Sequence, residues 1–341
     1  MYLFKNYVDS YLEALEKEID LIYQGEELET LYIGGGTPSS LEVEDLEKLF
    51  HILSKFKLKK NVEFTFECNI ENTTLEKLQL LKKYGVNRLS FGVQTFNLKY
   101  LKFLNRYHSK EDVFSVINWA SELGFANINV DIIYGIWGQT LDELKKDVDL
   151  FLELNVNHVS LYSLIIENNT ILGNKGYTNV KEELEYEMYL YINNKLKENG
   201  FLHYEISNYA KEGYESKHNL NYWNNNYYYG FGLGAVSFID NYRITNTKNI
   251  NKYIKGDFRQ NMEYEDLKVR ISNEMILGLR KIEGVDNKIF LKKYGKNIED
   301  VFNIDKLLKE GVVIYNNGFL KIALKYLYVS NEILLNFIDV L

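Results

Sequence analysis

One cysteine in 341 residues is the first constraint. Cys68 alone excludes an internal disulfide framework and any multi-cysteine metal site within one chain. Basic charge is also in short supply. With 40 Lys and Arg against 48 Asp and Glu, the net charge is −8, which argues against a nucleic acid or anionic membrane held by bulk electrostatics. No long uncharged apolar run occurs, and Met1 to Ser10 holds no signal-peptide apolar stretch. No integral membrane segment and a cytoplasmic location are the expectations. The single proline, Pro38, and the 28 tyrosines carry no functional reading.

What is present is a repeat of local pattern. Strand-like runs begin near Leu31, Val62, Arg88, Ile128 and His158, about 30 residues apart, the period of a βα unit. The first four end in polar or glycine features: Gly34, Gly35, Gly36 and Thr37, then Glu67, Gln94 and Asp131. In a parallel (β/α) barrel the carboxyl ends of the strands form the active-site mouth, so these residues are expected to build one ligand site. A single strand-end acid is more often a helix cap or a solvated loop residue; the repetition on successive strands carries the reading.

The strand faces add a second expectation. Alternation with period two places Glu63, Thr65 and Glu67 on one face, followed by Ser90, Gly92 and Gln94, then Asn127, Asn129 and Asp131, and His158, Ser160 and Tyr162. The opposite face is apolar and belongs under helices, which leaves a polar lumen able to hold a sizeable polar ligand. Helices are expected from the spacing of Leu12, Leu15, Ile19 and Ile22, and after capping-box patterns at Ser39 to Glu42, Thr73 to Glu76 and Thr140 to Glu143. Beyond a helix near 181–199 the βα period stops. Residues 201–260 are rich in aromatics, Asn and Gly, and the chain then turns helical around a hairpin at 312–322. GFGLGA at Gly230 to Ala235 lacks the GxGxxG spacing and a βαβ setting, so it is read as a glycine-rich turn.

Taken together, GGGTP at 34–38, Glu67, NRLSFGVQTF, Arg106 near His108 and NVDIIYG resemble the radical S-adenosylmethionine proteins of the coproporphyrinogen III oxidase type. YEISNYA, HNLNYW and YVSNEILLNF resemble its haem chaperone branch. The resemblance implies an α/β fold: a partial (β/α) TIM-like barrel over 1–200, an aromatic and glycine-rich extension over 201–260, and a small α+β, winged-helix-like domain over 261–341. It implies S-adenosylmethionine at Gly34, Gly35, Gly36, Thr37, Glu67, Gln94, Arg106 and Asp131. It further implies haem at His218, Asn219, Tyr222 and Trp223. The function implied is haem binding and delivery to an acceptor protein, with a homodimer allowed. The alternative is an oxygen-independent coproporphyrinogen III oxidase.

This sequence departs from the family's pattern in a few places. The family carries a first strand and a CxxxCxxC loop whose thiolates hold a [4Fe-4S] cluster. This sequence has neither, so the expected barrel lacks its first strand and the cluster lacks its ligands. Enzyme activity is therefore left open. Cys68 replaces a small residue, Trp137 replaces a proline in GIWGQT, and Val236 stands where the family often has His.

Overall fold

The computed structural model describes residues 7–167 and 170–338. The first six residues of the stretch read for a signal sequence, and the last three of the expected C-terminal domain, lie outside the described residues. The chain runs α1 (Val8–Ile22), β1 (Glu27–Ile33), α2 (Val43–Leu53), β2 (Lys57–Asn69), α3 (Leu75–Lys83), β3 (Arg88–Gln94), α4 (Leu98–Phe103), α5 (Lys110–Glu122), β4 (Asn127–Tyr134), α6 (Leu141–Leu152), β5 (His158–Ser163), α7 (Ile171–Asn174) and α8 (Glu182–Glu198). It continues as β6 (Leu202–Glu205), β7 (Asn208–Ala210), α9 (Lys217–Trp223), β8 (Val236–Ile239), β9 (Tyr242–Asn246), α10 (Ile250–Ile254), β10 (Arg259–Tyr264) and α11 (Leu267–Gly278). The last elements are β11 (Val285–Asp286), α12 (Asn287–Tyr294), α13 (Asp305–Lys309), β12 (Val313–Asn316), β13 (Phe319–Ile322) and α14 (Ser330–Leu334). Contacts divide the chain into two compact units. One holds Thr30–Glu42 and Glu63–Ser216; the other holds the residues up to Glu29, Val43–Val62 and everything from Lys217 onward.

The first of these units carries a seven-stranded mixed sheet in the order β1-β2-β3-β4-β5-β7-β6, a partial (β/α) barrel. Strands β2 to β5 pair in parallel, as the βα alternation requires. Their apolar face is buried as expected: Phe64, Phe66, Leu89, Phe91, Val93, Ile128, Val130, Ile132, Val159 and Leu161 are each at most 5% exposed. Burial of each such side chain contributes about 1.5–3 kcal/mol.

Two local expectations need correction. The helix cap after β2 is Thr74, which accepts from Lys77 N, rather than Thr73. Thr73 instead donates to Asn69 O at 2.8 Å. Ser39 caps no helix either, because its hydroxyl accepts from Asn69 N at 2.9 Å and ties the glycine loop to β2. The box at Thr140 and Glu143 forms as expected, and a further one forms at Ser109 and Asp112. The sheet also runs past the point where the periodic pattern ends. β7 pairs antiparallel with β5, and β6 antiparallel with β7. An antiparallel return needs no crossover helix, so the βα period carries no trace of it.

The other unit holds two three-stranded sheets, β10-β9-β8 and β11-β13-β12. The expected hairpin is β12–β13, paired from Val313↔Ile322 to Asn316↔Phe319. Met275, Leu279, Phe290, Ile298, Val313, Leu320 and Phe337 form its core, all wholly buried. Helix α1 buries Leu12, Leu15 and Ile19 and, with them, the carboxylate of Glu18. Gly232 N, Asn246 Nδ2 and Tyr253 OH all donate to Glu18, at 2.8, 2.5 and 2.5 Å. Gly232 belongs to GFGLGA, which is a turn, as expected, with Gly232 and Gly234 at positive φ.

Candidate functional site

The glycine loop after β1 is shaped around Glu67. Tyr32 OH donates to Glu67 Oε1 at 2.7 Å, and Gly35 N donates to Oε2 at 3.2 Å. A Cβ added at Gly34 would fall 2.5 Å from Glu67 Cδ and 2.6 Å from the Tyr32 ring, so no other residue fits there. Gly35 takes φ +78°, and neither Gly35 nor Gly36 has a neighbour within 4 Å of an added Cβ. Thr37 joins the site through Asn69, whose Nδ2 lies 3.4 Å from Thr37 Oγ1.

Register aligns the rest. Asn69, Gly92, Asp131 and Ser160 are partners across β2, β3, β4 and β5, and Glu67, Ser90, Asn129 and His158 form the row below. Asn129 is the hub of that lower row. Its Nδ2 donates to Ser90 Oγ at 2.8 Å and to Asp131 Oδ1 at 2.9 Å, while its Oδ1 accepts from Ser160 Oγ at 3.1 Å. His158 Nδ1 lies 2.6 Å from the same oxygen, so Nδ1 carries the proton and Nε2 accepts from Tyr204 OH at 2.8 Å. Burial, and then the charge of Arg88, hold the His158 pKa well below its ordinary value, which keeps the ring neutral. Burial pushes Asp131 up to about 6, against hydrogen bonds from Asn129 and Ser160; Glu67 raises it further and Arg88 lowers it.

β3 ends in an irregularity. The β3–β4 register shifts between Gly92 and Gln94, and Gln94 takes φ +70°. A glutamine in the left-handed region is strained, and such residues concentrate at ligand sites. Its Oε1 is buried and has no hydrogen-bond partner among the described residues. A Cβ added at Gly92 would lie 2.9 Å from Gln94 Nε2, 3.6 Å from Asn69 Oδ1 and 3.8 Å from Arg106 Nη2, so three polar groups crowd one bare backbone position. Arg106 Nη1 lies 4.0 Å from Glu71. Glu71 itself sits 3.0 Å from His108 Nδ1 and accepts from Tyr107 N at 3.1 Å. Burial alone would raise the Glu71 carboxyl; the His108 and backbone hydrogen bonds outweigh it and hold the pKa at about 2.

Contacts and register thus bring Gly34, Gly35, Thr37, Glu67, Gln94, Arg106 and Asp131 onto one end of one sheet. Tyr32, Asn69, Glu71, Tyr204 and Ser216 are members that the sequence reading passed over. Asn69 shares the face of Glu67 by period two and could have been found that way. Tyr32 stands between Leu31 and Ile33, a setting that marks a strand and not a polar site. Tyr204 and Ser216 come from the antiparallel return: Ser216 N donates to Tyr204 OH at 3.3 Å, and Ser216 Oγ to Glu63 at 3.3 Å. Cys68 points to the opposite, apolar face, 3% exposed, its thiol directed at Phe66 O.

His218, Asn219, Tyr222 and Trp223 belong to the other unit, on α9. His218 Nε2 lies 3.0 Å from Tyr222 OH, with the two rings edge to face. Tyr222 in turn packs edge to face on Tyr228. Trp223 Nε1 is buried without a hydrogen-bond partner among the described residues, and the Arg280 guanidinium lies 5.6 Å from its ring centroid. Among the described residues no group of three or more His, Cys, Asp or Glu is placed to hold a metal ion. No helix among them is long and apolar enough to cross a membrane.

The glycine cradle and the polar strand ends of β1 to β4 lie within residues 3–151, the stretch that the model of the radical SAM superfamily matches. The solved structure of coproporphyrinogen III oxidase (HemN) from Escherichia coli, a radical SAM enzyme, superposes with a TM-score of 0.87 over 98% of this chain and 84% of that one; at 22% identity this likeness speaks for the fold. Two relatives narrow the family. The chain is 42% identical over 326 residues to the heme chaperone HemW of Bacillus subtilis (strain 168), covering 91% of this chain and 86% of that protein. It is 34% identical over 259 residues to HemW of Escherichia coli (strain K12), covering 73% and 68%. The chain belongs to the HemW family. The superfamily implies S-adenosylmethionine and a [4Fe-4S] cluster as its cofactors.

Proposed function

We propose that this chain binds haem as cargo and passes it to an acceptor protein in the cytoplasm, and that its partial barrel holds S-adenosylmethionine. The observation that carries the haem reading is the 42% identity, over 91% of the chain, to a protein named a heme chaperone. His218 supports it as the candidate axial ligand, with Tyr222 and Trp223 as aromatic walls and Asn219 as a further candidate contact of the same motif. Because Tyr222 OH occupies His218 Nε2, iron ligation through that nitrogen must displace the hydroxyl.

The strand-end residues fit S-adenosylmethionine. Bound there, it supplies a sulfonium centre and an amino acid head group. Arg106 offers a fork for the carboxylate, Glu67 and Asp131 accept from ribose hydroxyls or the amino group, and the orphaned Gln94 Oε1 gains a donor. Gly34 and Gly92 leave room that any side chain would fill. A [4Fe-4S] cluster does not fit the residues present. One thiol is available, on the apolar face, where burial pushes its pKa up to about 12.

The rival function is oxidation of coproporphyrinogen III. The likeness to that oxidase is one of fold, at 22% identity. An anaerobic turnover assay with coproporphyrinogen III beside a haem titration separates the two: haem binding without turnover supports the chaperone reading, and turnover without haem binding rejects it.

A further inference from the structure

A cavity of about 230 Å3 in the second unit is lined by Asn225, Tyr227, Phe238, Arg270, Lys293 and Tyr294, among others. It opens directly after α9, and α9 packs on α11, the helix that carries Arg270. The two cations in its wall differ. Lys293 Nζ donates to Glu274 Oε1 at 2.7 Å and to Asn224 O at 3.1 Å, so its charge is matched. Glu274 also takes Tyr294 OH at 3.0 Å. Arg270 has no such partner: among the described residues its guanidinium makes no ion pair and no hydrogen bond, and only its carbonyl is used, by Asn225 Nδ2 and Tyr294 OH.

Asn225 supplies a second, independent sign that the cavity is incomplete. Its Nδ2 faces two acceptors, Arg270 O and Glu274 Oε2, which fixes the amide orientation. The carbonyl oxygen is then left buried without a donor among the described residues. A buried acceptor of this kind costs stability unless a donor completes it, and since an ionised carboxylate has none, the donor is a water that can give one proton to Asn225 Oδ1 and the other to a bound carboxylate. The remaining lining is Asn226 with Tyr227 and Phe238, whose rings meet edge to face at 5.1 Å. One unmatched guanidinium beside the Tyr227 and Tyr294 rings suits a ligand that joins a carboxylate to a planar body.

We propose that this cavity receives a carboxylate side arm of a tetrapyrrole, with Arg270 forking onto the carboxylate; this rests on the haem reading above. The test compares haem with its dimethyl ester, titrated by absorbance into the wild-type chain, Arg270→Ala, Arg270→Lys and His218→Ala. The wild type binds haem about tenfold more tightly than the ester, a factor worth about 1.4 kcal/mol. Arg270→Ala lowers haem affinity to the ester's level and leaves ester affinity and the Soret position unchanged, while Arg270→Lys retains part of the difference. Equal wild-type affinity for acid and ester, or an acid–ester difference that survives in a folded Arg270→Ala variant, overturns the proposal alone. Failure of the wild type to bind either form overturns it together with the haem reading.

Discussion

Glu67 Oε1 and the Tyr32 hydroxyl meet at 2.7 Å, joining residues 35 positions apart and closing the glycine loop onto the second strand. Burial, and then the Glu67 charge, raise the Tyr32 pKa, so the phenol stays a donor throughout the working range. The candidate site is therefore already organised around fixed acceptors, and several of its members should respond to substitution in different directions.

Asp131 should trade stability for binding. Burial raises its pKa to about 6, so the folded protein holds this proton to higher pH than the unfolded chain. Its contribution to stability is full below the unfolded value of about 3.9 and is lost as pH rises through about 6. Asp131→Asn should raise the thermal midpoint at pH 8, change it little at pH 3.5, and weaken S-adenosylmethionine binding by roughly 1–3 kcal/mol. Calorimetric titration and thermal melts on the same samples check both; a variant that binds as tightly as the wild type removes Asp131 from the site.

Glu71 should behave with the opposite sign. Its pKa is held at about 2, so its stabilisation is present above the ordinary glutamate value and disappears as pH falls through about 2. Its side chain is 23% exposed, and after allowance for solvent screening Glu71→Gln should cost about 1 kcal/mol at pH 7. Arg106 then loses its nearby anion, and S-adenosylmethionine affinity should change while the fold persists. Identical denaturation midpoints at pH 7 would show that the His108 contact carries no energy.

Glu18 should matter for folding rather than ligand binding. Glu18→Ala leaves the donors of Gly232, Asn246 and Tyr253 facing a void, which should cost roughly 3 kcal/mol. Urea titration measures it. A loss below about 0.5 kcal/mol, the range of an ordinary surface change, would mean that water replaces the carboxylate.

Cys68 should remain inert. With its thiol buried and its pKa near 12, anaerobic reconstitution of this chain should yield well under one [4Fe-4S] cluster per monomer, and thiol reagents should react only on unfolding. A stoichiometric cluster by iron quantitation would contradict the reading of this site.

Much of this arrangement was legible beforehand because strand alternation is a local property. That Glu67, Ser90, Asn129 and His158 share the polar face follows from period two, as does the buried face of Phe66, Leu89 and Val130, whereas their alignment in one row is set by the strand register. Tyr204 was not legible, since it reaches His158 only through the antiparallel return of β6 and β7, which no short-range pattern announces. Gln94 was placed on the polar face but not at a register shift with positive φ, because nothing in NRLSFGVQTF marks a bulge. Glu71 pairs with His108 across 37 residues, and Lys293 pairs with Glu274 across 19. Relations of that kind depend on the packing of distant segments.

The central claim is haem binding by the His218 region, and one titration tests it most directly. Haem is added to the wild type, His218→Ala and Tyr222→Phe, with the Soret band and the thermal midpoint recorded on each. The account predicts one haem per chain, a shifted Soret band or weaker binding for His218→Ala in folded protein, and tighter binding for Tyr222→Phe, which frees Nε2. An unchanged Soret band and affinity in well-folded His218→Ala would contradict it.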